Sequence, residues 1–244
     1  MNEQPHVPSY DITGAGPVLL LVPGGAGHPM GLEPMAARLA AWFTVVTYDP
    51  LGLAHGRLGL PVGEQRVEDW SDGARRVLEE VLPAWESAYV MGFSAGGVVV
   101  LDLLARYPER LAHVVAHEPA CVTVLPDGAR ERESLIEQLE AQRGEPLASE
   151  GESATPMGVF FAHVLRPFTA YTPLAPADPS RLTVAAGADS RGGALYRTAE
   201  VVARRTGGRF AEFPGGHLGV MEHPVDCADL LVKTLVPVTS RGRG

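Results

Sequence analysis

A serine, a histidine and a carboxylate in this chain could together carry out nucleophilic chemistry. Ser94 stands in Gly92-Phe93-Ser94-Ala95-Gly96, between one apolar run ending at Met91 and another from Val98 to Leu104. A serine hydroxyl is a poor nucleophile until a base takes its proton during attack. Imidazole suits that task because its pKa lies near neutrality, and a carboxylate behind it fixes the tautomer and stabilises the imidazolium. His217 is the candidate base, in the run Pro214-Gly215-Gly216-His217-Leu218-Gly219, where a flexible backbone can swing the ring toward the serine. Glu118 is a candidate acid. It follows the apolar run Leu111 to Ala116, where a charge is costly unless a partner such as an imidazolium stabilises it.

The elements around these residues must hold them in place. The run from Ala88 to Met91 reads as a buried strand, and Val98 to Leu104 leaves the serine with helical spacing. Between them the chain turns so sharply that a side chain at Gly92 or Gly96 would collide with the facing element. Such a corner lifts the Ser94 hydroxyl to a helix N-terminus, where the dipole and free N–H groups favour developing negative charge. The plainer alternative is a serine that only caps its helix. Upstream, Pro17 to Val22 predicts a strand covered on both faces, ending in Pro23-Gly24-Gly25-Ala26-Gly27. A loop this rich in glycine can aim backbone N–H groups at a ligand. Phosphate is a weak candidate, because no Lys-Ser/Thr follows and the G-x-G-x-x-G spacing is missing.

Strands and helices alternate through most of the chain. Helices are predicted over 30–42, 67–82, 195–205 and 224–235, and further strands over 43–48, 111–116, 182–187 and 210–213. Asp49-Pro50-Leu51-Gly52 reads as a turn with Asp49 as a loop brace. That alternation predicts an α/β fold with a mostly parallel sheet. It breaks between residues 121 and 179. A helix over 128–143 carries Leu135, Ile136 and Leu139 on one face, and a second opens at Pro156 with Met157, Phe160, Phe161, Val164 and Leu165 at helical spacing. His163 falls off that face, and the Gly/Pro/Ser/Glu stretch 144–153 between the helices reads as mobile.

With 244 residues the chain suits one domain with a full core. A formal net charge of -9 argues against nucleic acid or an anionic membrane surface as partner. No apolar run approaches the ~20 residues of a membrane span, and the first residues have neither a basic start nor an apolar core. A cytoplasmic protein is therefore expected. Cys121 and Cys227 make neither a disulfide framework nor a zinc site, and both read as buried thiols.

Pro23-Gly24-Gly25, Val45 to Asp49, Gly92 to Gly97, Ala116 to Pro119 and Phe213 to His217 together resemble a bacterial subfamily of small α/β-hydrolases, over nearly the whole chain. The resemblance implies a mostly parallel sheet flanked by helices, with 1–120 and 180–244 as core and 121–179 as a helical cap inserted after the sixth strand. The chain starts late for that pattern, so the first hairpin of the sheet should be reduced. The corner at Ser94 would be the family's nucleophile elbow, with an acid and then His217 following in chain order. The family habit points to Asp189 as that acid, after the strand 182–187, while the local physics points to Glu118. The N–H groups of Gly25 (Ala26 second) and Ala95 would form the oxyanion hole. Phe93, Met157, Phe160 and Phe161 would line the substrate pocket, and His28 is either a pocket residue or a plain loop residue. The implied activity is a serine hydrolase without cofactor or metal, acting on a small-molecule carboxylic ester, lactone or thioester as a monomer or homodimer. Acyl transfer, a lyase reaction, or a small-molecule receptor on the same fold are its rivals.

Overall fold

The computed structural model describes residues 7–25, 27, 31–58, 60–143 and 155–236. The solidly apolar runs become its inner strands, since only a strand covered on both faces can be apolar at every position. All five residues of β2 (Val18–Val22) are buried, as are all six of β6 (Leu182–Gly187). With β1 (Tyr10–Thr13), β3 (Thr44–Tyr48), β4 (Ala88–Phe93), β5 (Leu111–His117) and β7 (Arg209–Phe213) they form one seven-stranded sheet, ordered β1-β3-β2-β4-β5-β6-β7. Only β1 runs antiparallel, pairing Tyr10 with Tyr48 and Thr13 with Val45. The other neighbours are parallel, so β2, β4, β5, β6 and β7 all end at one edge of the sheet. In open parallel sheets that edge is where ligands bind.

Helices cover both faces. α3 (Val67–Val81), α4 (Ala95–Arg106) and α8 (Ala194–Thr206) bury Trp70, Val77, Val99, Leu103 and Val202 against one side. On the other side α1 (Glu33–Leu39) and α10 (Pro224–Leu235) bury Met35, Leu39, Cys227 and Leu231. α1 is shorter than its periodicity predicts, and Asp49 to Gly52 is more than a turn: α2 (Leu51–Arg57) starts there. Pro50 explains the start, because its carbonyl accepts from the N–H groups of Leu53 at 2.9 Å and Ala54 at 3.0 Å. A proline opens a helix at no cost in lost N–H bonds.

Between β5 and β6 lie α5 (Gly128–Arg143), α6 (Pro156–Val159) and α7 (Leu165–Thr169). α6 begins at Thr155, whose hydroxyl accepts from the Gly158 N–H at 3.0 Å, and a π turn at Phe160–Val164 joins it to α7. In chain order these helices follow the fifth strand rather than the sixth. Among the described residues one short strand, β1, stands where a hairpin would add another. The stretch 144–153 lies outside the described residues. No described helix is long and apolar enough to cross a membrane. Both cysteines are free and buried.

Candidate active site

The corner after β4 holds Ser94 at φ 54° and ψ −114°, a conformation that costs a non-glycine residue about 1–3 kcal/mol. Three backbone hydrogen bonds impose it. The Ser94 N–H donates to the His117 carbonyl at 3.0 Å, and the Ser94 carbonyl accepts from Ala120 at 3.2 Å and Val98 at 3.3 Å. Its flanking glycines are dictated by space. A Cβ at Gly92 would run into the Gly96 carbonyl, and one at Gly96 into the carbonyls of Val22 and Pro23. Ala95 is the first residue of α4, so its N–H belongs to the unpaired first turn.

Among the described residues one other non-glycine has positive φ, and it is Glu118 at 42°. It sits just past β5, its N–H bonded to the Ala185 carbonyl of β6 at 2.8 Å. Its side chain has no solvent exposure. Glu118 Oε2 accepts from His217 Nδ1 at 2.7 Å, and Oε1 accepts from the Gly187 N–H at 2.9 Å and from the Ser190 hydroxyl. Burial works to raise the Glu118 pKa. The hydrogen bonds from His217 and Ser190, the neighbouring imidazole and the Gly187 N–H outweigh it and hold the carboxyl well below its usual range. With Nδ1 donating to a carboxylate, the neutral His217 ring keeps Nε2 as an acceptor.

Of the two candidate acids, the geometry favours Glu118. The carboxylate that meets His217 is Glu118. Asp189 is exposed in the turn after β6, and its N–H donates to the Gly215 carbonyl at 2.9 Å. That bond ties the turn to the loop carrying His217, so Asp189 supports the loop from its backbone while its side chain faces solvent. Ser190 had no signal in the sequence. Its hydroxyl reaches Glu118 only because β5 and β6 are neighbours, pairing His117 with Ala185.

Ser94 and His217 line one cavity of about 260 Å³, with Gly24, Gly25, Phe93, Met157 and Phe160 also in its wall. The Phe160 ring packs against Gly25, where any Cβ would strike it. Phe161 is not among the described lining residues, and its ring stacks edge-on against Phe160 with centroids 5.4 Å apart. Ala26 and His28 lie outside the described residues. The wall also includes Leu135 and Leu139 of α5, Leu195 of α8, and Val220 and Met221 of the short helix α9 (Gly219–Glu222). Of these elements α5 and α8 are predicted by periodicity; α9 follows the histidine too closely for its own pattern to stand out. Among the described residues no three His, Cys, Asp or Glu side chains gather as they would around a metal ion.

Comparison with known proteins agrees with this architecture. The family model described as serine aminopeptidase, S33, matches residues 15–146. In sequence the chain is similar to an uncharacterized hydrolase, YraK, of Bacillus subtilis, being 31% identical over 233 residues that cover 86% of this chain and 85% of that one. In structure it is similar to a thermophilic esterase from Thermogutta terrifontis, with a TM-score of 0.67 and 21% identity, covering 93% of this chain and 92% of the other. It is also similar to the enol-lactonase from Burkholderia xenovorans, with a TM-score of 0.59 and 18% identity over 93% of this chain and 95% of that one.

Proposed function

Because the chain belongs to the α/β-hydrolase superfamily, we propose that it is a cofactor-free serine hydrolase that cleaves a small-molecule carboxylic ester, lactone or thioester. One observation carries the reading. The buried Glu118 carboxylate holds His217 at 2.7 Å, and the same histidine shares a cavity with a serine at a strained strand-to-helix corner. Among the described residues the non-glycine positive φ values fall on Ser94 and Glu118, which fits a site that stores strain for function.

In the proposed cycle Ser94 Oγ attacks the substrate carbonyl carbon while His217 Nε2 takes the hydroxyl proton. Glu118 stabilises the imidazolium that forms. The N–H groups of Gly25 and Ala95 hold the oxyanion, a contribution of about 3–4 kcal/mol per donor in sites of this type. As the carbon–oxygen or carbon–sulfur bond to the leaving group breaks, His217 returns the proton to that group. Water then attacks the acyl-enzyme, losing its proton to His217, and the acid departs as Ser94 is reprotonated. Residues 121–179 act in this reading as a cap, with Met157 and Phe160 closing the pocket over the reacting carbonyl.

Intact-mass analysis after exposure to a fluorophosphonate tests the nucleophile. One adduct per chain is expected on the native protein and none on Ser94→Ala. A folded native protein that takes up no label would overturn the reading.

A further inference from the structure

The chemistry of the cavity wall narrows the substrate. Besides Ser94 and His217, Thr169 is the single polar side chain among the described residues that line it. The Thr169 hydroxyl is already engaged, donating its one proton to the Leu165 carbonyl at 2.6 Å and accepting from Arg132 Nε at 3.1 Å. No described Asp, Glu, Lys or Arg faces the cavity. Glu118, behind His217, has both oxygens occupied. The apolar wall includes Leu135, Leu139, Phe160, Leu195, Val220 and Met221.

A charged group entering such a space leaves water and meets no oppositely charged side chain among the described residues, which costs several kcal/mol before any chemistry. An enzyme that acts on a free amino terminus must offer the substrate ammonium an acceptor, and among the described residues no carboxylate side chain lines the cavity to do so. Its volume, about 260 Å³, lies just below the usual range for ligand pockets of roughly 300–1,000 Å³, which suits a short to medium acyl group. We infer that the site takes uncharged esters of short to medium apolar acids, and discriminates against an ammonium or carboxylate in the acyl part. Substrates with a free α-amino group, including aminoacyl esters and peptides, are thereby disfavoured. The inference rests on the serine-hydrolase reading and goes beyond it. It also separates this pocket from the aminopeptidase activity in the description of the matching family model.

Matched esters test the point. The p-nitrophenyl esters of 4-methylpentanoic acid and of leucine differ only by the α-ammonium group, and those of pentanoic and glutaric acid by a terminal carboxylate. Each kcat/KM is divided by the spontaneous hydrolysis rate of the same ester. The charged member of each pair should fall by about 10²-fold or more. Placing an acceptor in the wall, Leu139→Asp, should shrink the leucine gap by about 10-fold and leave the glutarate gap as wide or wider. Fluorophosphonate labelling of Ser94 is run on the same samples. If Ser94 labels but the leucine ester is processed as well as its neutral partner, the substrate inference is overturned and the nucleophile stands. If Ser94 does not label, the hydrolase reading falls and takes this inference with it.

Discussion

A carboxylate closed off from water keeps its charge only if donors reach its lone pairs, and Glu118 has three: the Gly187 N–H, the Ser190 hydroxyl and His217 Nδ1. Glu118→Gln removes the charge that fixes the tautomer and stabilises the imidazolium, so kcat should drop about 10⁴-fold. Asp189→Asn should stay within a few-fold of the native enzyme, because that side chain is exposed and the backbone bond to Gly215 survives. Steady-state kinetics on the two variants decide it; a large loss in Asp189→Asn alone would reverse the roles. Ser190→Ala should cost about 2 kcal/mol of stability, since a hydrogen bond to a buried charge is lost, and Ser190→Thr should restore most of it in a urea titration. Glu118 was legible as a candidate in the sequence for a physical reason: a charge at the end of a mostly apolar strand must be paired. Ser190 was not, because its meaning comes from which strand lies beside which. Asp189 is suggested by the family's habit alone, and its exposed side chain adds no contact in favour of it.

At the scale of elements, the strand, corner and helix around Ser94 work as one rigid unit. β4 and α4 pack so closely that Gly92 faces the Gly96 backbone, and Gly96 faces the end of β2. Gly96→Ala should therefore push α4 away from the loop carrying Gly25, with a loss of about 1–3 kcal/mol and slower fluorophosphonate labelling at full occupancy of the folded state. A variant with native stability and labelling rate would mean that the close approach is incidental. This unit was readable in advance because glycines at fixed offsets from a serine report a steric demand. The pocket wall was readable only in part. Periodicity assigned α5 its apolar face, yet whether Leu135 and Leu139 meet a cavity or a core depends on what lies opposite. The π turn at Phe160–Val164 re-aims the side chains after α6, so Phe160 covers Gly25 while Phe161 packs behind it. α2 and α9 were missed because helices this short carry less than two full turns of pattern.

Over the whole molecule, the end of β5 sets two neighbouring titratable groups in opposite states, a charged Glu118 and a neutral His117. The His117 ring is buried between Phe93 and Phe213, with centroids 6.3 and 5.8 Å away, and neither ring nitrogen has a hydrogen-bond partner among the described residues. Burial pushes its pKa down to about 4; Glu118 offsets part of the shift and His217 adds to it. The unfolded chain titrates this group near 6.5. Between those values the unfolded state binds a proton that the folded state refuses, so stability is full above about pH 6.5 and falls as pH drops toward 4. The full shift corresponds to roughly 3 kcal/mol. His113, whose pKa burial and Arg209 also lower, adds to the loss in the same window. Glu118 acts lower down: its depressed pKa contributes stability that is present above the ordinary carboxylate range and lost only as pH falls through the folded value. Global repulsion does not account for a loss at mild acidity, since protonation moves the net charge of -9 toward zero. Urea unfolding at pH 7.5, 6 and 5 should show the native protein weakening steadily. His117→Leu keeps an apolar side chain between the two rings and removes the titration, so its stability, whatever its starting value, should change less over the same range. Parallel pH slopes for the two proteins would show that His117 is not the acid-sensitive group.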